Sequence, residues 1–122
     1  MSRGIVLFGH GSRDPAWRRP MDLVAQRITE RSPDTVVMCA FLELQVPDLP
    51  SAVASLVNHG LRDITVFPMF LGVGKHARED LPVLLADIRS RHPELQLAVS
   101  RSVGELPAVL DLLAEQALKP TL

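Results

Sequence analysis

Four uninterrupted hydrophobic runs alternate along this chain with four stretches in which apolar residues recur every three or four positions. Unbroken apolar runs bounded by turn residues read as strands buried in a parallel sheet, and the 3.6-residue period reads as helix. The first run, residues 4–9, ends in Gly9-His10-Gly11-Ser12 and predicts a strand closing in a turn. Asp14-Pro15 then supplies a helix cap followed by proline, and Trp17, Met21, Val24 and Ile28 carry a helical stripe to residue 31. Ser32-Pro33-Asp34 interrupts it. The run Thr35 to Leu42 predicts a second strand, covered on both faces, with Glu43 at its end.

After Pro47-Asp48-Leu49-Pro50, the stripe Leu49, Val53, Leu56 and Val57 predicts a second helix stopped by His59-Gly60. Ile64 to Leu71 is the third strand, with Pro68 placed near its end or at a local irregularity because proline cannot donate to a central ladder. Asp80 and Pro82 predict the start of the third helix. Its inward residues are Leu81, Leu84, Leu85 and Ile88, and His92-Pro93 ends it. Leu95 to Val99 is the fourth strand. Ser102 and Glu105 have capping-box spacing ahead of a last amphipathic helix carrying Leu106, Val109, Leu110, Leu113 and Ala117, and the tail from Lys119 to Leu122 is expected to be loose.

Strict alternation of strand and helix predicts an α/β fold, a single three-layer domain over residues 1–122 with a four-stranded parallel sheet joined by right-handed crossovers. A strand order of 2-1-3-4 would place the switch point between strands one and three, and ligands of such sheets gather beyond the carboxyl ends of the strands at that point. His10 and His76 are the histidines that follow those two strands. Glu43 and the Ser102-Val103-Gly104 turn are expected on the same rim.

Composition narrows the function. The 13 basic and 14 acidic residues are intermixed and leave a formal charge of −1, which argues against nucleic acid as a partner. Cys39 is the only cysteine, so no internal disulfide can form, and a reducing cytosol is the expected location. No apolar stretch approaches the length needed to cross a bilayer, so a soluble protein with no membrane partner is expected. The loop Gly72-Val73-Gly74 matches neither G-x-G-x-x-G nor the phosphate loop, and ATP is not implied.

Histidine suits both metal ligation and proton transfer near neutral pH. His59 and His92 sit at helix carboxyl ends, where complementing the helix dipole explains them. His10, between two glycines that leave room for a ligand, and His76, after a glycine loop, are the candidates for chemistry; the bland alternative is a turn histidine bonded to backbone. Glu43 either offers a carboxylate to a metal or a proton transfer, or is a solvated strand end. Asp80 either orients His76 or, as the better reading, caps a helix. Arg13, Arg18, Arg19, Lys75, Arg78 and Arg101 fall near the ligand end and could receive carboxylates, Arg13 and Lys75 foremost. Ser12 beside His10 lacks an identifiable third member and oxyanion donors for serine hydrolysis.

Three segments in order, Leu7-Phe8-Gly9-His10-Gly11-Ser12-Arg13, Ala40-Phe41-Leu42-Glu43 and Pro68 through His76 to Asp80-Leu81-Pro82, closely resemble the short form of the CbiX family, the sirohydrochlorin chelatases of cobalamin and sirohaem synthesis. The resemblance spans nearly the whole chain. It implies a chelatase-like domain in which His10 and His76 bind Co²⁺, His10 also accepts protons, and Glu43 and the loop Leu71, Gly72, Val73, Gly74, Lys75 and His76 contact the tetrapyrrole. It further implies that neither ATP nor an organic cofactor is needed, the divalent metal being a substrate, with Fe²⁺ or Ni²⁺ as alternatives to Co²⁺. Longer relatives carry two such domains, so a homodimer is expected to supply the missing wall, as closed two-fold dimers commonly do. A noncatalytic carrier of metal or tetrapyrrole is the competing reading.

Overall fold

The computed structural model describes residues 2–120, so Met1 and the last two residues of the expected loose tail lie outside the described residues. Four strands, β1 (Gly4–Gly9), β2 (Val36–Phe41), β3 (Asp63–Pro68) and β4 (Gln96–Val99), form one parallel sheet in the order β2-β1-β3-β4. The helices are α1 (Arg19–Arg31), α2 (Leu49–Asn58), α3 (Lys75–Arg91) and α4 (Pro107–Leu118), with short 3-10 turns at Pro15–Arg18 and Val103–Glu105. The expected α/β architecture and strand order hold.

The aliphatic runs explain the two sheet faces. Val6, Phe8, Ala40, Ile64 and Val66 point to one side and pack with Leu49, Val53 and Leu56 of α2 and Leu85 and Ile88 of α3 in the larger core. Leu7, Cys39 and Phe41 alternate to the other side and meet Met21 of α1. Each such side chain contributes about 1.5–3 kcal/mol when fully removed from water, so the larger cluster anchors the switch between β1 and β3. Residues beyond the carboxyl ends of those strands are therefore held on a rigid base.

Several local expectations need correction. The first helix does not run unbroken from Asp14: that carboxylate caps the 3-10 turn, accepting from the Ala16 N–H at 2.9 Å, and α1 starts separately at Arg19 with Pro20 in its first turn. β2 is an edge strand covered on both faces as expected, with Ala40 and Met38 packed in the core beneath α2 and Cys39 and Phe41 in the core beneath α1, while its first residue Val36 is exposed. β3 stops at Pro68, three residues short of Leu71.

The largest difference lies in α3, which begins at Lys75 after an extended Gly74, so neither Asp80 nor Pro82 starts it. Buried Ala77 extends the stripe of Leu81, Leu85 and Ile88 backward at helical spacing. Pro82 removes one hydrogen bond to the Arg78 carbonyl, a cost of about 3 kcal/mol in a helix interior that the packed stripe outweighs. His59 and His92 do cap the carboxyl ends of α2 and α3, and the His59 ring nitrogen Nδ1 bonds the Ser55 carbonyl at 2.7 Å.

Candidate functional site

The parallel register of β1 and β2 delivers two functional groups to one point. Gly9 pairs with Phe41, and the ladder continues past the strand ends as Leu42 N–H donates to the Gly9 carbonyl at 2.9 Å and Glu43 N–H to the His10 carbonyl at 3.1 Å. The side chains that follow are His10 and Glu43, whose Nε2 and Oε1 lie 3.0 Å apart with about half of each side chain open to solvent. A carboxylate can only accept, so in this bond Nε2 carries the hydrogen, and in the neutral ring Nδ1 then keeps a lone pair. The pair thus presents one imidazole nitrogen for a metal or a proton, oriented by its carboxylate.

Backbone, not ligand space, explains the glycines beside His10. Gly11 has φ +99°, and a Cβ there would lie 1.8 Å from the Glu43 carbonyl oxygen. A Cβ on Gly9 would meet the Met21 sulfur at 2.5 Å. The expectation that both glycines clear room for a ligand is therefore replaced by a packing requirement: Gly11 lets the β1 and β2 loops touch, and Gly9 lets Met21 of α1 pack against the end of β1. Around the same turn, Ser12 N–H donates to Gln45 Oε1 at 3.2 Å, a partnership that no local pattern signals. The Ser12 hydroxyl accepts from Asp14 N–H at 3.1 Å, as a turn residue does.

The β3 side of the rim is built differently. Phe70 is buried, stacking edge-to-face on Phe8 with ring centroids 5.6 Å apart and lying 6.5 Å from the His10 ring. Leu71 beyond it is 67% exposed. Gly72 and Gly74 would each point a Cβ into open space, and neither has a positive φ, so no turn demands glycine there. The loop leaves its upper side free for an approaching surface. Lys75 and His76, expected within that loop, form the first turn of α3 and are exposed. Behind the loop, Gly104 N–H donates to the Phe70 carbonyl at 3.0 Å, and the position of a Gly104 Cβ lies 1.7 Å from the Leu71 carbonyl oxygen. The Ser102-Val103-Gly104 turn thus braces the rim from behind.

His10 and Glu43 are brought together; His76 stands on the neighbouring strand's connection at the same end of the sheet. Among the described residues no three His, Cys, Asp or Glu side chains form a metal cage. The expected shared crevice is an open rim. A cavity of about 590 Å³ opens between α3 and the Ser100–Glu105 segment, lined by Val73, Ala77, Arg78 and Arg101, yet His10, Glu43 and His76 do not line it.

The cations sort by their partners. Arg18 is committed to Asp22, with Nη2 and Oδ1 3.0 Å apart, and lies 4.8 Å over the Phe41 ring; the hydrogen bond to Asp22 holds its guanidinium further up than usual. Arg101 donates to the Glu105 carbonyl at 3.3 Å. Lys75 makes only a long contact, 4.0 Å, with Glu79, and Arg13 is exposed. Asp80 is the sixth residue of α3 and caps nothing. Cys39 is buried beneath α1, its Sγ 3.7 Å from Asp22 Oδ1, and burial first and Asp22 second push its thiol up.

Comparison with known proteins gives this geometry a context. The CbiX family model matches residues 4–119. A sirohydrochlorin cobaltochelatase from Methanococcoides burtonii is 29% identical over 95% of this chain and 95% of its own length. One from Methanocaldococcus jannaschii is 35% identical over 72% of the chain, a stretch spanning 62% of that relative. The sirohydrochlorin chelatase SirB from Bacillus subtilis subspecies spizizenii, solved in complex with cobalt, superposes with a TM-score of 0.78 at 26% identity, covering 96% of this chain and 50% of that one.

Proposed function

This chain belongs to the CbiX family, and from that premise we propose that it inserts a divalent metal, Co²⁺ foremost, into sirohydrochlorin without ATP, acting in the cytosol as a single domain over residues 1–122. The observation that carries the reading is the 3.0 Å contact of His10 with Glu43 on an open strand-end rim. Insertion requires two pyrrole protons to leave and the ion to exchange its own ligands for ring nitrogens. A half-exposed imidazole answers both needs: its free nitrogen holds the incoming ion weakly or takes a proton, and the carboxylate steadies the cation that results.

In this reading His76 is the second imidazole for the metal, and the Leu71–Gly74 loop lies against the macrocycle face. Arg13 and Lys75 meet the ring's peripheral carboxylates. Holding ion and ring together replaces a difficult encounter between a hydrated metal and a flexible macrocycle. A second copy supplies the wall that the open rim lacks. Among the described residues no helix is long and apolar enough to cross a membrane.

The test is anaerobic mixing with sirohydrochlorin and Co²⁺ or Fe²⁺, followed by absorbance. Multiple turnovers are expected, faster with Co²⁺. His10→Ala should slow insertion by about 100-fold or more, the low end of what a positioned proton acceptor contributes, and His76→Ala should slow it too. Stoichiometric binding with no faster insertion would make the protein a carrier. A His76→Ala variant with unchanged rate removes that residue from the mechanism.

A further inference from the structure

The cavity between α3 and the Ser100–Glu105 segment carries positive charge that its own walls do not neutralise. Arg78, Arg89 and Arg101 line it, and Glu105 is the one acidic residue among the lining. That carboxylate is engaged within its own turn, Oε2 accepting from Ser102 N–H at 3.3 Å. Among the described residues the ion pairs run through His10, Arg18, Lys75 and Arg91, so none of the cavity arginines belongs to one. Guanidinium groups around one cavity repel one another, and an anion between them relieves that repulsion.

Helix phase and strand ends set where the charges stand. Along α3, Arg78, Leu81, Leu85 and Arg89 recur at intervals of three and four, which makes one helix face with an arginine at each end of an apolar strip. Arg78 is in the first turn, at the rim end of the helix. Arg89 lies roughly 16 Å further along by the rise of a helix, where its Nη2 donates to the Leu97 carbonyl at 3.1 Å. Arg101 follows the carboxyl end of β4 and so stands at the same end as Arg78. Its Nη2 donates to the Glu105 carbonyl at 3.3 Å, which steadies the guanidinium and leaves its other N–H groups for a ligand.

Between the arginines the lining is apolar, with Pro68, Ala77 and Leu85 buried and Leu81 half-buried. An inorganic anion would leave that floor uncovered, whereas a carboxylate on a short carbon chain satisfies both parts: methylenes lie on the floor and the anion takes charge-assisted bonds from the arginines. The volume of about 590 Å³ falls within the range of about 300–1,000 Å³ found for small-molecule sites. Val73 belongs both to the cavity wall and to the loop that follows β3, so a molecule resting on that loop has its edge at the cavity mouth.

We propose that this cavity is a carboxylate subsite, in which Arg78 and Arg101 receive the end of a short alkyl carboxylate and Pro68, Leu81 and Leu85 receive its carbon chain. For its ligand the subsite rests on the chelatase reading, which supplies a macrocycle with peripheral carboxylate arms; a free dicarboxylic acid has the same chemistry. An arm fixed here sets which edge of the ring meets His10, a role that Arg13 and Lys75 on the open rim do not fill.

The test is equilibrium binding without metal. Sirohydrochlorin is titrated by its fluorescence, and glutarate by calorimetry, into the wild type, Arg78→Gln, and Arg78→Gln combined with Arg101→Gln. The single variant should raise the sirohydrochlorin Kd about 10-fold and the double variant about 100-fold, as loss of hydrogen bonds to a charged group does. Circular dichroism should be unchanged, since both side chains are exposed; if the double variant misfolds, Arg78→Gln decides alone. Arg78→Lys, which keeps the charge but not the fork, should fall between, and the fully esterified macrocycle should bind all proteins alike. Glutarate binding that the variants lose, beside an unchanged sirohydrochlorin Kd, assigns the subsite to a free acid. Variants that bind both probes as the wild type does overturn the subsite, and turnover with metal by those same proteins would leave the chelatase reading standing.

Discussion

The two halves of the rim are made by opposite means. On the β1–β2 half, backbone touches backbone: Gly11 lies against the Glu43 carbonyl, two ladder bonds run beyond the strand ends, and His10 and Glu43 meet at 3.0 Å. On the β3–α3 half, the backbone is braced from below by Gly104 while the upper side of Gly72 and Gly74 faces open space. A group that must hold an ion and pass a proton gains from fixed geometry, since small displacements of reacting atoms are costly. A surface that receives a large ring gains from latitude. In the proposed reading the fixed half carries the His10–Glu43 pair, and the looser half carries His76 together with the loop that accommodates the ring.

The sharpest way to break this contrast is Gly11→Ala. Positive φ and overlap with the Glu43 carbonyl together should cost about 3 kcal/mol or more. Thermal unfolding should show the loss, and any folded fraction should lose insertion activity with the His10–Glu43 pair. Full stability and activity in this variant would mean that the β1–β2 half is as tolerant as the other.

Asp48 closes the loop that carries Glu43, accepting from Ser51 N–H at 2.8 Å as the cap of α2. Hydrogen bonding from Ser51, its side chain first and its backbone N–H second, holds the Asp48 carboxyl below the usual range, so the stabilisation is complete above the unfolded-state value and fades as pH falls through the lowered folded-state value. Asp48→Ala should cost about 1 kcal/mol near neutral pH, with the gap from the wild type narrowing below about pH 4. A gap that widens in acid contradicts the assignment.

The smallest effect is expected on the other half. Gly72→Ala should leave stability unchanged or raise it by about 0.4–1 kcal/mol through the unfolded chain, and should alter KM for the tetrapyrrole more than kcat. Denaturant unfolding beside steady-state kinetics checks both, and a destabilisation comparable to that of Gly11→Ala would erase the distinction.

Much of this was legible in the chain itself, and the parts that were not share a cause. β1, the placement of Pro68 at the end of β3 and the capping roles of His59 and His92 all follow from local pattern, and local pattern survives folding. The start of α3 was missed because the sequence offers Asp80 and Pro82 as a textual start signal, whereas buried Ala77 reveals its role only once the sheet is present to bury it. The reasons for Gly9 and Gly11 were misjudged for a similar reason: Met21 and the Glu43 carbonyl are distant in sequence. The His10–Glu43 contact depends on the offset between β1 and β2, which strand order alone does not set. The apolar stripe of α4 is legible in the sequence, but the exposure of that stripe is not.

The hidden thiol carries a consequence for a protein that handles loose ions. Cys39 is the chain's single sulfhydryl, and burial under α1 beside Asp22 disfavours the thiolate that soft metals seek. In the proposed reading, cargo arriving at the rim meets the nitrogen and oxygen donors of His10 and Glu43, and the one thiol does not compete with them.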